Sequence, residues 1–311
     1  MARGDGVAML KQSIDAFLAL RRAVGFRLKD EEYLLHAFAH FASARGETHV
    51  RTQSATEWAA ATRSPWQRER RLRVVAGFAR HAHAEDDRHE VPPIFVFGRR
   101  HVRPVPHIYS PVELQCLLDA ACRLAPIWPL KPQVFATLIG LLASTGLRIS
   151  EALALQFNDV TPEGLVIRKT KFNKSRLVPL HPTVDAALDR YLDLRRSRSS
   201  VSDFVFPSPK GGRLSRPTVW KTFDQLLRQV GLRSGAGKPR PRIHDIRHTF
   251  AVRVLEASPD GASSIGGRMV ALSTYLGHAS VADTCWYLHA TPQLMRGVAD
   301  ACERFLEGGA R

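Results

Sequence analysis

The stretch STGLRISEALAL, residues 144–155, places a break at Gly146 shortly before the start of an apolar helical pattern. Arg148 stands where this helix would begin. Its guanidinium offers a planar fork of N–H donors that matches two phosphate oxygens and stays charged at any working pH. Glu151 follows at the spacing of a helical ion pair. Taken alone, the stretch favours this surface pair over a phosphate site.

A second polar cluster, HDIRHTF, covers residues 244–250. On a helix, His244 and Arg247 share one face, so an imidazole and a guanidinium project together. His248 lies one turn from His244, which is also the spacing of helical zinc sites. Zinc would need a third and a fourth ligand, and Arg247 beside the site would repel the cation. The pattern therefore disfavours a metal site, and none is predicted here.

A third cluster, LGHAS, covers residues 276–280, and Tyr287 follows His278 nine positions later. An isolated tyrosine usually belongs to a core. Its hydroxyl, with an ordinary pKa of about 10, is a weak nucleophile unless neighbouring cations or a base assist it. The arginines and histidines of the three clusters would supply that assistance if the fold brings them together.

Length and charge suggest the class of protein. The chain has 311 residues, which makes two domains the natural expectation. Lys and Arg number 45 against 29 for Asp and Glu, and the formal net charge of +16 indicates a polyanionic partner, with nucleic acid as the leading candidate. A membrane surface would suit this charge too, but we find no apolar run of about 18 residues and no secretory signal pattern. We therefore expect a cytoplasmic protein.

The cysteines show no CxxC pair and no secretory context, so neither a disulfide framework nor a cysteine-rich zinc site is expected. We predict that they are reduced and partly buried. They are Cys116, Cys122, Cys285 and Cys302. The sequence also lacks a Gly-x-x-x-x-Gly-Lys loop and a clustered carboxylate site, so no metal or nucleotide cofactor is expected.

A proline-rich stretch divides the chain into two predicted domains. Residues 1–91 show helical apolar periodicity and should form a helical domain. Residues 92–109 should form an extended linker, which either follows a phosphate backbone or is an ordinary solvated connector. Residues 110–311 form the second domain. The arginines of the linker are Arg99, Arg100 and Arg103.

Helices dominate both predicted domains. In the first, two helices within 10–45 part near Gly25, and two more follow, the last with a strongly basic outer face. In the second, Ser110 and Pro111 have the pattern of a helix start. The other expected elements are helices over 56–62, 65–83, 218–231, 244–257 and 291–307, a β-hairpin with a charged tip over 164–180, and a surface insertion over 258–268.

Four motifs follow one another in the order typical of the tyrosine recombinases and phage integrases. They are Arg148, His244-x-x-Arg247, Leu-Gly-His278 and Tyr287. From Ser110 to its end the chain resembles the catalytic domain of that family. The resemblance implies a mainly α fold with a small β-hairpin or sheet. It also implies a two-domain DNA clamp, with an N-terminal helical core-binding domain and a C-terminal integrase-type catalytic domain.

The resemblance assigns roles to single residues. Tyr287 would be the nucleophile that attacks DNA. Arg148 and Arg247 would grip the scissile phosphate. His244 and His278 would serve as further phosphate-binding or proton-transfer groups. These roles make the three clusters parts of one site.

The family also places a general-acid lysine on the β-hairpin. Counting back from LVPL at 177–180 selects Lys171 for this role. Phe172 stands where the family often has a glycine, which leaves Lys169 and Lys174 as alternatives for the same role. A solvated hairpin tip without a catalytic part is the competing interpretation of all three lysines.

The function implied by the resemblance is site-specific DNA recombination through a 3′-phosphotyrosyl intermediate, in DNA integration or transposition and without a metal. The implied partners are double-stranded DNA and further copies of the chain or related recombinases, assembled as a tetramer on two DNA sites. The alternatives are a DNA-relaxing enzyme like the type IB topoisomerases, a catalytically silent DNA-binding accessory protein, and a helical RNA-binding protein.

Overall fold

The computed structural model divides the chain into two compact units, 1–103 and 104–311. Each unit encloses its own cluster of buried apolar side chains. Within the part of the chain that the structure describes, no helix is both long and apolar enough to cross a bilayer. The described residues are 2–98, 105–168, 175–198, 202–233, 240–257, 265–277 and 284.

The described part of the first unit consists of helices, as its apolar periodicity predicts. Gly25 separates the first two with a positive φ of 94°, a conformation that glycine adopts without strain. Phe38 and Trp58 meet edge to face in the core, with their ring centroids 5.6 Å apart. The helices are α1 (Ala2–Ala23), α2 (Lys29–Ser43), α3 (Thr52–Ala60) and α4 (Pro65–Glu85).

Helix α3 begins at Thr52, before the predicted start at Thr56. The backbone N–H of Thr52 donates to Oε2 of Glu90 at 2.8 Å, and Arg51 pairs with the same carboxylate at 3.0 Å. This carboxylate satisfies an N–H at the helix start that would otherwise lack a partner. Because it comes from a distant part of the chain, the local sequence could not reveal the true start.

The predicted basic face of α4 is partly used for packing within the unit. Arg70 pairs with Asp30 at 2.9 Å, and a guanidinium N–H of Arg71 donates to the carbonyl of Trp58 at 3.2 Å. Arg80, by contrast, is exposed. Some of these arginines therefore stabilise the helical unit itself.

A histidine and aspartate cluster joins the segment before α3 to the one after α4. His49, Asp86 and His89 bring potential ligand atoms within 4.8 Å of one another. However, Nδ1 of His89 accepts the N–H of Val50 at 3.1 Å, which leaves the proton of a neutral ring on Nε2. Nε2 of His49 lies 3.1 Å from Oδ2 of Asp86. These contacts form a hydrogen-bonded link between two segments, and the tautomer of His89 is unsuited to a metal.

The second unit is built around α6, whose buried side chains contact α5, α8 and α10. The predicted helix start at Ser110 is confirmed, because its Oγ accepts the N–H of Glu113 at 3.1 Å while Oε2 of Glu113 accepts the N–H of Ser110 at 2.6 Å. The helices are α5 (Pro111–Cys122), α6 (Lys131–Thr145), α7 (Ile149–Ala152), α8 (Pro182–Arg198), α9 (Arg216–Gln229), α10 (Ile243–Glu256) and α11 (Ile265–Leu276).

A small antiparallel sheet lies beside these helices. Its strands within the described residues are β1 (Val160–Thr161), β2 (Gly164–Ile167) and β3 (Arg176–Val178), in the order β1-β2-β3. Leu165 of β2 is opposite Val178 of β3 in an antiparallel pair, which confirms the predicted hairpin. The two-residue strand β1 was too short to be predicted. The hairpin tip, 169–174, is outside the described residues.

The predicted surface insertion over 258–268 is wrong in its last part. Helix α11 already begins at Ile265 and includes Gly266 and Gly267. A glycine inside a helix costs about 1 kcal/mol, but the buried face of α11, with Leu272 among its members, packs against α10 and offsets that cost. The glycine pair therefore does not interrupt the helix.

The prediction of partly buried cysteines is wrong for Cys116 and Cys122. Both are exposed on α5, which spans Pro111–Cys122. The buried face of this helix is formed instead by Leu117 and its neighbours one turn away. Cysteine is hydrophobic enough to suggest burial, but the helical period places these two on the other side. Cys285 and Cys302 lie outside the described residues.

Candidate active site

The start of α10 presents His244 and Arg247, and it is fixed by hydrogen bonds on both sides. Oδ2 of Asp245 accepts the backbone N–H of Arg242 at 2.8 Å, which caps the helix. The hydroxyl of buried Tyr109 donates to the carbonyl of Arg242 at 3.1 Å. The segment that enters the second unit therefore holds the helix end from which the functional side chains project.

Arg247 is almost fully buried and links the ends of two helices. Its Nη1 donates to the carbonyl of Gly146 at 2.7 Å, and its Nη2 donates to the carbonyl of Leu276 at 2.8 Å. Gly146 ends α6 in the left-handed conformation, with φ 60°. Carbonyls at helix C-termini carry partial negative charge, which stabilises a buried cation. This arrangement explains how a guanidinium is accommodated in the core.

Arg148 also contacts the C-terminal end of α11, next to the carbonyl that Arg247 binds. Its Nη2 donates to the carbonyl of Gly277 at 3.1 Å, and its Nη1 donates to Oε1 of Glu151 at 2.8 Å. The side chain keeps 28% of its surface exposed. From the sequence, a surface ion pair between Arg148 and Glu151 competed with a functional site at Arg148. In the structure, Arg148 forms this pair and also reaches the carbonyl of Gly277, so the two interpretations are compatible.

Glu151 is the buried anion of this site. Burial alone would raise the pKa of its carboxyl, but hydrogen bonds from Arg176 and the charge of that residue, followed by Arg148, lower it to about 2. Nη2 of Arg176 lies 2.8 Å from Oε2, and Nη1 lies 3.1 Å from Oε1. The carboxylate therefore stays ionised at neutral pH and holds two guanidiniums in place.

Three arginines meet the α11 carbonyl end, by which we mean the carbonyls of Tyr275, Leu276 and Gly277. Arg176 donates to the first through Nε at 2.9 Å, Arg247 to the second and Arg148 to the third. The next residue in the chain is His278. The fold thus brings the first and second sequence clusters to the residues that begin the third.

His244 is exposed on the same helix as Arg247, and its ring meets that of His248 edge to face at 5.0 Å. Partial desolvation by the surrounding protein, and then the positive charges of Arg247 and Arg148, lower the pKa of His244. The imidazole is therefore biased toward its neutral form. The same charges oppose a metal ion between the two histidines.

The described residues include Arg148, His244 and Arg247 of the predicted site and bring them together. Lys171, its alternatives Lys169 and Lys174, His278 and Tyr287 lie outside the described residues. Arg176 was missed by the sequence reasoning, and Glu151 was considered only as a surface partner of Arg148. The partner carbonyl of Arg176, on Tyr275, is 99 positions away, so no local pattern indicates the contact.

Chemically, the site is a cluster of permanently charged donors held in fixed geometry beside an imidazole whose pKa is lowered. Arginine forks of this kind match the non-bridging oxygens of a phosphodiester. Their orientation is set before any ligand arrives, because buried carbonyls and one carboxylate hold them. The arrangement is suited to stabilising negative charge that grows on a phosphate.

Comparisons with known proteins agree with this chemistry. The phage integrase family matches residues 111–293. The chain is 38% identical to the putative integrase/recombinase y4rB of Sinorhizobium fredii, over 96% of this chain and 98% of that protein. It is 36% identical to the tyrosine recombinase XerD of Mycobacterium leprae, over 52% of this chain and 49% of that protein.

Among solved structures, the fold is similar to that of the Tn1549 transposon integrase in complex with circular intermediate DNA. The TM-score is 0.66 and the identity 19%, over 94% of this chain and 99% of that chain. This likeness supports the fold alone, whereas the match over residues 111–293 and the full-length relative concern the family. From these matches, the chain belongs to the phage integrase family and is a tyrosine recombinase.

Proposed function

We propose that this recombinase acts on specific DNA sites in integration or transposition, with Tyr287 as its nucleophile. The observation that carries the proposal is the meeting of Arg148 and Arg247 at the α11 carbonyl end, directly before His278 in the chain. These arginines come from separate parts of the sequence, and a solvated surface role would not require them to meet. The family assignment favours strand exchange over the topoisomerase, accessory and RNA-binding alternatives.

In the proposed reaction, Tyr287 gives its phenolic proton to one of the proton-transfer histidines, His244 or His278. Its oxygen attacks the phosphorus of a phosphodiester, and the bond from phosphorus to the 5′ oxygen breaks. Arg148 and Arg247 neutralise charge on the non-bridging oxygens, which is usually the largest catalytic contribution. Lys171 gives a proton to the departing 5′ oxygen. The product is a 3′-phosphotyrosyl link and a free 5′ hydroxyl, and a 5′ hydroxyl from a partner strand reverses the step.

His244 is suited to a hydrogen-bonding or proton-transfer role in this reaction. Its lowered pKa favours the neutral ring, which can donate one proton to a phosphate oxygen or accept one from a hydroxyl. A positively charged His244 would be repelled by Arg247, which is consistent with the lowered pKa. We assign His278 to the same group of proton-transfer and phosphate-binding residues.

We further propose residues 1–91 as a core-binding domain, 92–109 as a linker and 110–311 as the catalytic domain. The separation into two compact units and the family match over 111–293 support this division. The proposed partner is double-stranded DNA, in keeping with the net charge of +16. Two DNA sites would be held by a tetramer of this chain or of related recombinases.

The proposal is tested by covalent trapping. The wild-type chain is incubated with sheared genomic DNA of its source organism, denatured, and recovered with any attached DNA for sequencing. We expect adducts that share one sequence, and none with Tyr287→Phe, which should still bind the recovered duplex. Adducts formed by Tyr287→Phe, or random adduct sequences from the wild type, would contradict the proposal. Relaxed circles without recombinants would point to the topoisomerase alternative.

A further inference from the structure

We propose that Arg176, on strand β3, is a positioning residue for strand cleavage that connects the β-hairpin to Arg148 and to the backbone before His278. The role presupposes the proposed function, since it matters only if Arg148 grips a scissile phosphate. It differs from the assignments above because Arg176 itself touches no reacting group. It would act through the residues that it holds.

The side chain of Arg176 is fixed at both ends. Its two terminal nitrogens form a fork onto Glu151, at 2.8 Å and 3.1 Å, while Nε donates to the carbonyl of Tyr275 at 2.9 Å. Only 13% of the side chain is exposed. A bidentate contact with a carboxylate fixes the plane of a guanidinium as well as its position. Lysine could not reproduce this geometry, because it offers a single point charge.

Glu151 transmits this position to Arg148. Oε1 accepts from Nη1 of Arg148 at 2.8 Å, and Oε2 accepts the backbone N–H of the same residue at 3.0 Å. The carboxylate is therefore shared between two arginines, one from the hairpin and one from the start of α7. Without Arg176, the carboxylate of Glu151 would have Arg148 as its principal partner. The guanidinium would be drawn toward Glu151 and away from the orientation that suits a phosphate.

The second connection runs through the α11 carbonyl end. Arg176 supplies the donor to its first carbonyl, and it also lies against Gly277, where an added Cβ would be 2.8 Å from Nη1. Gly277 has a positive φ of 64°, and its carbonyl accepts from Arg148. Arg176 therefore bears on the backbone that leads into His278 as well as on the phosphate clamp.

The position of Arg176 in the chain gives this contact a further consequence. It follows the hairpin tip that contains the candidate general acid Lys171. The Arg176 contacts fix the base of the hairpin against Glu151 and α11. Arg176 therefore joins the β-hairpin, which would carry the general acid, to Arg148, which would bind the phosphate.

The test compares Arg176→Gln and Arg176→Lys with the wild type in single-turnover cleavage. The substrate is a nicked duplex of the sequence recovered by covalent trapping, from which the short 5′-hydroxyl fragment diffuses away. Misplacement of reacting groups by about 1 Å costs about 100-fold in rate, and we expect a loss of this size for Arg176→Gln. Arg176→Lys should fall between. The affinity for the duplex should change by less than about threefold, because the site's own phosphate contacts are retained.

Arg168→Gln is the matched control. Arg168 follows β2 in the same hairpin and pairs with buried Asp159, but its side chain is 58% exposed. Among the described residues, its guanidinium bonds to Asp159 and to the carbonyl of Asn158, and neither residue belongs to the site. This variant should cleave at nearly the wild-type rate. Equal losses in Arg168→Gln and Arg176→Gln would show that any hairpin guanidinium matters, and would overturn the proposal.

Two further measurements separate positioning from a general loss of structure. Glu151→Gln combined with Arg176→Gln should be no slower than the slower single variant, because both act on one contact; losses that multiply would contradict this route. A duplex with a 5′-bridging phosphorothiolate releases a thiolate without needing a proton. The defect of Arg176→Gln should persist on it, whereas full recovery would move the role to the general acid alone and overturn the proposal. If the wild type forms no adduct on any duplex, the proposed function fails instead.

Discussion

Substitution of Gly146 by alanine is expected to destabilise the second unit for two separable reasons. Gly146 has φ 60°, and an added Cβ would lie 2.4 Å from Cδ1 of Phe250. The left-handed conformation costs an L-residue about 1–2 kcal/mol. Forcing a methyl group against a packed ring adds about 1–3 kcal/mol. We therefore expect a loss of about 3 kcal/mol in the free energy of unfolding.

Gly231→Ala provides the comparison that isolates the steric part. Gly231 follows α9 with φ 71°, but no heavy atom lies within 4 Å of the Cβ that alanine would add. This variant should lose only the backbone contribution, about 1 kcal/mol. Native-state hydrogen exchange of the α6 amides reports the stability of this unit without interference from the first. Equal losses in the two variants would refute the close contact between Gly146 and Phe250.

Two other perturbations test the elements around the site. Gly164→Ala should disrupt the hairpin, because φ is 129° and the new Cβ would lie 2.3 Å from the carbonyl oxygen of Val178. In urea unfolding we expect the free energy of unfolding to fall by at least about 3 kcal/mol. A loss under about 1 kcal/mol would contradict the β2–β3 packing. Glu151→Gln should make the free energy of unfolding depend less steeply on pH in acid solution. The folded-state pKa of Glu151 is lowered from 4.5 to about 2, so its contribution of about 3 kcal/mol is present above the ordinary pKa and is lost as the pH falls toward about 2. Parallel stability curves for wild type and variant from about pH 5 to about pH 2 would contradict the buried ion pairs.

Local patterns predicted the elements well where the signal lies within a few residues. The cap at Ser110, the break at Gly25 and the β-hairpin all follow from the pattern of neighbouring residues. Local patterns did not predict helix starts that depend on distant partners, as the hydrogen bond from the N–H of Thr52 to Glu90 shows. The glycines at the start of α11 misled because tertiary packing outweighs a propensity cost of about 1 kcal/mol each.

The candidate site shows the same division. Arg148, His244 and Arg247 were identified because they stand in motifs, and the fold brings them together. Arg176 stands in no motif that indicates its partner. Its role depends on the α11 carbonyl end, which meets the hairpin only after folding. Contacts between residues far apart in sequence cannot be read from periodicity.

Tyr287 is the residue that we propose to form the covalent bond to DNA. The most direct measurement is mass spectrometry of peptides from the wild-type adduct, after nuclease digestion to a residual nucleotide. We expect the nucleotide on the peptide that contains Tyr287, attached through a 3′ phosphate to the phenolic oxygen. Attachment to another residue, or through a 5′ phosphate, would contradict the mechanism.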